Sequence, residues 1–213
     1  MPKRILFQGD SITDCSRDRK DFYGMGNGYA NMVKAALGAD VPNEYAFINR
    51  GISGDRSVDI YARIKMDFIN LQPDYASIYM GVNDAWHEIM YQNGVDTQKF
   101  ERIYSMLIEE IQAACPQTKL FLIAPYVLEG EKTCNTEEMP DRLNRFQKDV
   151  AEKAAATKRI AEKYNLPLIE LQPVFDEACK KAPAAYWAQD GVHPTACGHE
   201  LIKRQWLNTF HTL

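Results

Sequence analysis

Cysteine is scarce and scattered in this chain. Five occur, Cys15, Cys115, Cys134, Cys179 and Cys197, and no two form a C-x-x-C pair. Neither a disulfide framework nor a zinc knuckle is indicated. Long apolar runs are missing too: none approaches the roughly 18 residues that a membrane span needs. There is no excess of basic charge, because 25 Lys and Arg stand against 29 Asp and Glu for a net charge of −4. That argues against nucleic acid as a partner, which usually calls for a basic stripe. Neither phosphate-cradling glycine loop, G-x-G-x-x-G or G-x-x-x-x-G-K-[ST], occurs. No lysine stands at Leu171-Gln172-Pro173, where a receiver-type signalling domain would want one. Repeats, linkers and low-complexity stretches are also lacking.

What remains is globular usage: 46% apolar and 25% charged residues in 213. A chain of this length buries roughly 70% of its unfolded surface without staples. One domain over residues 1–213 is therefore expected. The first apolar run, Ile5–Phe7, is too short for a secretory signal. It reads as a first strand, and a cytoplasmic protein is expected. A homo-oligomer is left open, since aromatic residues such as Trp206 and Phe210 suit either a core or an interface.

Five runs have strand length and strand composition: Ile5–Phe7, Tyr45–Ile48, Tyr75–Met80, Leu120–Ala124 and Leu166–Leu171. Several are apolar at every position, as buried parallel strands are. Between them lie helical periods. Phe100, Ile103, Tyr104, Leu107, Ile108 and Ile111 keep one amphipathic face. Met139 to Tyr164, Val58 to Phe68 and Leu201 to Phe210 follow the same logic. Strands alternating with helices predict an α/β domain with a parallel five-stranded sheet. The polar stretch Glu129–Glu138 reads as a loop or a lid.

In open α/β sheets ligands bind beyond the carboxyl ends of the strands. Those positions hold Gly9-Asp10-Ser11-Ile12, Ile52-Ser53-Gly54-Asp55, Gly81-Val82-Asn83-Asp84 and, before the last helix, Asp190-Gly191-Val192-His193. A serine needs a base within hydrogen-bond reach, and the base needs an orienting group. Ser11, His193 and Asp190 can fill those places. Backbone N–H groups of Ser11 and Gly54, with the Asn83 amide, can supply donors for a developing oxyanion. Asp10 is expected to fix the Ser11 turn through backbone hydrogen bonds. His199 and His211 are expected at the surface, and Cys15 as a buried, inert thiol. A rival reading gathers Asp10, Asp14, Asp84 and Asp190 around a divalent metal for phosphate chemistry, but leaves Asn83 and His193 without roles.

The four blocks, Gly9–Ile12, Gly54, Gly81–Asp84 and Asp190–His193, resemble those of the SGNH hydrolases, the GDSL-like esterases and lipases. The resemblance runs in family order from Gly9 to His193, with Ile12 in place of the usual Leu. It implies a flavodoxin-like three-layer α/β/α sandwich and an esterase with no cofactor and no metal. It implies a Ser11, Asp190 and His193 triad, an oxyanion hole of Ser11, Gly54 and Asn83, and a small-molecule ester as substrate. Thioesterases and lysophospholipases share it. The stretches Gly9–Cys15, Asn49–Gly54 and Gly81–Trp86 are similar to the bacterial intracellular carbohydrate esterases, of acetyl-xylan type. On that likeness Trp86 and Trp187, with Tyr186, are expected to stack on sugar rings. The small net charge then fits a neutral ester that needs no electrostatic steering.

Overall fold

The computed structural model describes all residues, Met1–Leu213. The order of elements is β1 (Lys3–Gly9), α1 (Ser11–Asp14), α2 (Tyr29–Asp40), β2 (Tyr45–Asn49), α3 (Ser57–Ala62), α4 (Ile64–Asp67) and a 3-10 turn (Ile69–Leu71). There follow β3 (Tyr75–Tyr79), α5 (Val82–Tyr91), α6 (Thr97–Ala114), β4 (Lys119–Ala124), α7 (Arg142–Lys163), β5 (Leu168–Glu170), α8 (Leu171–Cys179), α9 (Ala184–Trp187) and α10 (Ala196–Phe210). The five strands pair in parallel in the order β2-β1-β3-β4-β5. All five expected strands are present, with ends that differ by at most two residues.

Successive strand residues point to opposite faces of a sheet, so alternate positions feed two different cores. Ile5 and Phe7 of β1 join Phe121 and Ile123 of β4, Tyr29 and Val33 of α2, Phe175 of α8, and Ile202 and Trp206 of α10. Leu6, between them, joins Ile78, Leu122, Ile60 of α3, Phe100 to Ile111 of α6, and Ile160 of α7. Both faces are covered by helices, which makes the three layers. It also explains why the strands read as unbroken apolar runs rather than alternating ones.

Trp206 is fully buried. Its ring packs on Phe7 at 5.1 Å, Phe121 at 5.3 Å and Phe210 at 5.0 Å. Its indole N–H donates to Ser77 Oγ at 2.9 Å. Trp206 and Phe210 are thus core residues. Truncating a buried aromatic of this kind costs about 3–5 kcal/mol. Trp206→Ala is expected to lower the thermal midpoint by on the order of 10 °C in a chain of this size. A change within a degree or two in a thermal melt would contradict that packing account.

The strand order places the catalytic candidates. The chain leaves β1 for the edge strand β2, then returns past β1 to β3. That reversal opens a crevice at the carboxyl ends of β1 and β3, where doubly wound sheets hold their ligands. Ser11 follows β1, Gly54 follows β2 and Asn83 follows β3. One helix differs from its reading. The stretch from Val58 to Phe68 is broken at Arg63 into α3 and α4. The Arg63 side chain turns inward to the strand ends there.

Candidate active site

β1 runs into a one-turn helix through Asp10, whose Oδ1 accepts from the Ile12 N–H at 3.0 Å. That cap sets Ser11 at the first position of α1. The turn is tight enough to need Gly9: a Cβ there would come within 2.5 Å of both Thr13 Oγ1 and the Tyr79 carbonyl. Asp10 is wholly buried, and burial pushes its carboxyl up to about 7. It builds the turn, as expected.

Ser11 Oγ lies 2.8 Å from His193 Nε2. His193 Nδ1 lies 2.7 Å from Asp190 Oδ2. The other oxygen, Asp190 Oδ1, accepts the backbone N–H groups of Val192 at 3.0 Å and His193 at 2.7 Å. Partial burial works against the Asp190 charge, but the His193 ring and these two N–H groups outweigh it. The carboxyl is held well below the usual carboxylate range. An ionised Asp190 only accepts, so it fixes the proton on Nδ1 and leaves Nε2 free to accept from Ser11.

The turn that carries Asp190 and His193 is braced from behind. Leu128 N–H donates to the Gly191 carbonyl at 2.8 Å, Glu131 N–H to Gln189 at 3.1 Å and Lys132 N–H to Asp190 at 3.1 Å. Lys132 Nζ stands 3.4 Å from Asp190 Oδ2. The Glu129–Glu138 stretch is thus stitched to the base-bearing turn, and none of it lines the cavity beside Ser11.

Gly54 has φ +89°, the left-handed region that glycine enters without strain. Its N–H donates to no protein acceptor. The Ser11 N–H, at the start of a helix, has no intrahelical partner. Asn83, nearly buried in the first turn of α5, donates one Nδ2 hydrogen to the Asp55 carbonyl at 3.0 Å. Its amide is thereby tied to the residue after Gly54, with a second N–H to spare.

Two groups organise this rim: buried Asp84, which the sequence placed in the third block without this role, and half-buried Arg63, which the sequence did not single out. Asp84 takes the Ser57 N–H on both oxygens at 3.1 Å and the Ser57 hydroxyl at 2.5 Å, joining α5 to α3. Burial pushes its carboxyl up to about 7, against the pull of those hydrogen bonds. Arg63 is the wider link. Its guanidinium donates to Asp55 Oδ2 at 2.7 Å, the Arg50 carbonyl at 2.8 Å, Asp67 Oδ2 at 3.0 Å and the Gly9 carbonyl at 3.2 Å. One side chain joins the end of β1, the end of β2 and the loop that carries Gly54.

Ser11 and His193 line a cavity of about 410 Å³, with Cys15, Arg17, Arg19, Ser53 and His199 among its other walls. Two expectations are corrected here. His199 is not at the surface: it is 4% exposed, and its Nδ1 accepts from the Tyr29 N–H at 3.1 Å. Burial, then the nearby His193, pushes its pKa down to about 4. Cys15 is only half-buried, with its Sγ 3.4 Å from His199 Nε2, and burial pushes its thiol up, away from the reactive thiolate. His211 is exposed, as read from the sequence.

Trp86 and Trp187 are not among the residues lining this cavity. Trp86 packs on Phe146 at 5.1 Å against the core. Trp187 is half-buried, and its indole N–H donates to the Ala182 carbonyl at 3.2 Å. Tyr186 beside it is exposed. The four carboxylates of the metal reading are committed to different partners: Asp10 to Ile12, Asp14 to Arg19 and Ser53, Asp84 to Ser57, and Asp190 to His193. No three His, Cys, Asp or Glu side chains converge as a ligand set.

Known proteins place the chain in context. Residues 7–201 match the model of the GDSL-like Lipase/Acylhydrolase family. An acetylxylan esterase of Geobacillus stearothermophilus is 32% identical over 96% of this chain and 92% of its own length. A crystal structure of that acetylxylan esterase superposes with a TM-score of 0.83 over 97% of this chain and 93% of that one. A Parabacteroides merdae protein described as a GDSL-like lipase superposes with a TM-score of 0.89 at 31% identity, over 99% of this chain and 97% of that one. With a family match that spans most of its length and a hydrolase sheet to go with it, the chain belongs to the GDSL-like lipase/acylhydrolase family.

Proposed function

We propose that this protein is a serine esterase that removes acetyl groups from carbohydrates through an acyl-enzyme on Ser11. The observation that carries the reading is the unbroken relay from Ser11 Oγ to His193 Nε2 at 2.8 Å and from His193 Nδ1 to Asp190 at 2.7 Å. His193 Nε2 takes the Ser11 proton as Oγ attacks the ester carbonyl carbon. The negative charge that develops on the carbonyl oxygen is met by the N–H groups of Ser11 and Gly54 and the free Nδ2 hydrogen of Asn83. The C–O bond to the alcohol then breaks, and the alcohol leaves with the proton from Nε2. Water enters, gives its proton to His193, and attacks the acetyl-serine. Acetate departs as the proton returns to Ser11 Oγ.

The carbohydrate assignment is supported by the relationship to an acetylxylan esterase. It is also supported by the residues of the cavity wall, most of them polar or charged, which offer hydrogen-bonding partners to sugar hydroxyls. We place residues 1–213 in one catalytic domain and the enzyme in the cytoplasm, a reducing compartment that suits its five unpaired cysteines. No helix is long and apolar enough to cross a membrane. The test is a panel of acetylated xylo-oligosaccharides and p-nitrophenyl esters of rising chain length. Acetate esters are expected to be the best substrates. A preference for long acyl chains would overturn the carbohydrate reading and leave the serine mechanism standing.

Arg63 is a positioning residue in this scheme, because it touches none of the reacting atoms. Arg63→Ala strands the Arg50 carbonyl, leaves the Gly9 carbonyl to the Ile52 N–H, and frees the Asp55 loop. Misplacing donors by about 1 Å costs about 100-fold. The variant is expected to lose about that much in kcat, with KM changed far less. Arg63→Lys, a point charge that cannot fork to several acceptors, should recover melting temperature more than kcat. Equal recovery of both would reduce Arg63 to a fold-stabilising role.

A further inference from the structure

The loop between α1 and α2 carries charge that the small net charge of the chain conceals. Arg17 and Arg19 line the cavity beside Ser11 and also line a second cavity of about 350 Å³, whose walls include Lys20, Phe22 and Arg50. The two spaces share these arginines and so adjoin. Together they are lined by four cationic side chains, three of them at least partly exposed and Arg50 buried, against two carboxylates, Asp14 and Asp67. Both carboxylates are already engaged. Asp14 holds Arg19 at 2.5 Å, and Asp67 holds Arg63 at 3.0 Å and Arg50 at 3.7 Å. The acids of the loop itself, Asp18 and Asp21, line neither cavity.

Arg17 and Lys20 are the cations left over. Arg17 Nε donates to the Gly51 carbonyl at 2.9 Å, and its two terminal nitrogens have no protein acceptor. Neither Arg17 nor Lys20 has a carboxylate within ion-pair distance. A guanidinium with its fork open offers the planar pair of N–H groups that carboxylates and phosphates accept. Phe22 closes the second cavity, its ring 4.4 Å beneath the Arg50 guanidinium, and the residue as a whole is 46% exposed.

An acetyl group ends one carbon beyond the ester carbonyl. Whatever reaches from Ser11 past Arg17 into the second cavity therefore belongs to the alcohol. We propose that the alcohol is an anionic saccharide, whose carboxylate or phosphate oxygens are taken by Arg17 and Lys20 while its ring lies against Phe22. This rests on the acetyl-carbohydrate reading above and names the substrate class within it. It replaces the expectation of a neutral ester: the chain is weakly acidic overall, but the approach to Ser11 is locally cationic.

The test compares three acetylated substrates of similar size: a neutral xylo-oligosaccharide, one bearing a uronic acid, and a sugar phosphate. The readout is kcat/KM for each anionic substrate divided by that for the neutral one. A ratio of about tenfold is expected, the scale of one partly exposed charge-assisted hydrogen bond. The larger ratio identifies uronate or phosphate as the anion. Raising ionic strength from about 0.01 M to about 1 M shortens the screening length from about 30 Å to about 3 Å, and should shrink the ratio. Arg17→Gln should bring it near one, and Lys20→Gln part of the way. Should Arg17→Gln fail to fold, Lys20→Gln and the salt dependence of the parent enzyme decide. A ratio near one at low salt, with the neutral ester hydrolysed, overturns the anionic subsite alone. Failure on every saccharide ester, with p-nitrophenyl acetate still cleaved, overturns the carbohydrate reading and the subsite with it.

Discussion

Ser11→Ala is expected to lose about 10⁶-fold in kcat on acetate esters, the scale for removing the nucleophile from a serine triad. The variant keeps the cavity and the N–H groups around it, so KM should change far less. Some catalysis over water should survive, on the order of 10³-fold, because oriented donors still polarise the carbonyl. Ser11 is partly exposed and its hydroxyl bonds only to His193. Its loss leaves no buried group unpaired, so the melting temperature should hold within a degree or two. A variant that retains full activity would sink the mechanism, and one that unfolds would sink the description of the turn.

Asp190→Asn should cost about 10⁴-fold in kcat, and the reason lies in the hydrogen bonds around it. Asp190 Oδ1 is claimed by the Val192 and His193 N–H groups. An asparagine must keep its carbonyl oxygen there and so turns its NH₂ toward His193 Nδ1. Nδ1 then has to accept, and the proton moves to Nε2. Nε2–H points at Ser11 Oγ and can no longer take its proton. The imidazole would be in place but in the wrong tautomer. Binding should persist, and activity should recover partly at high pH, where hydroxide can stand in for the base. A loss below tenfold would mean that Asp190 only holds the turn.

The Ser11–His193–Asp190 arrangement was legible in the sequence because its residue types are tied to places in the fold. Ser11, Asn83 and His193 each follow a glycine-containing turn, and such turns at strand ends leave a readable mark. The strands were legible for a different reason. Burial on both faces makes Leu120–Ala124 apolar at every position, a signal that survives without any partner. Helices α2, α5 and α8 did not stand out. α5 opens on the Gly81-Val82-Asn83 turn, so its first residues read as a loop. α8 carries Pro173 in its first turn, where a missing N–H is tolerated but the sequence reads as a break.

Arg63 and His199 were illegible because their roles depend on groups distant in the chain. Nothing near position 63 says that a guanidinium will reach the Gly9 carbonyl, 54 residues away. His199 sits in a polar stretch of α10 and is buried only because α2 closes over it, through the Tyr29 N–H. The aromatic residues picked from the sequence do not line the cavity beside Ser11. Trp86 lies three residues beyond Asn83 on the same side of α5, but its ring is taken up by packing on Phe146 of α7 instead of lining the cavity beside Ser11.

A serine-directed phosphonate followed by peptide mass mapping tests the Ser11 mechanism most directly. The phosphonate oxygen needs the same donors as the ester oxyanion, so labelling reports nucleophile, base and donors at once. One adduct is expected, on the peptide that carries Ser11, absent in Ser11→Ala and formed far more slowly in Asp190→Asn. An adduct at another residue, or an enzyme that resists the reagent while hydrolysing acetate esters, would contradict the Ser11 mechanism.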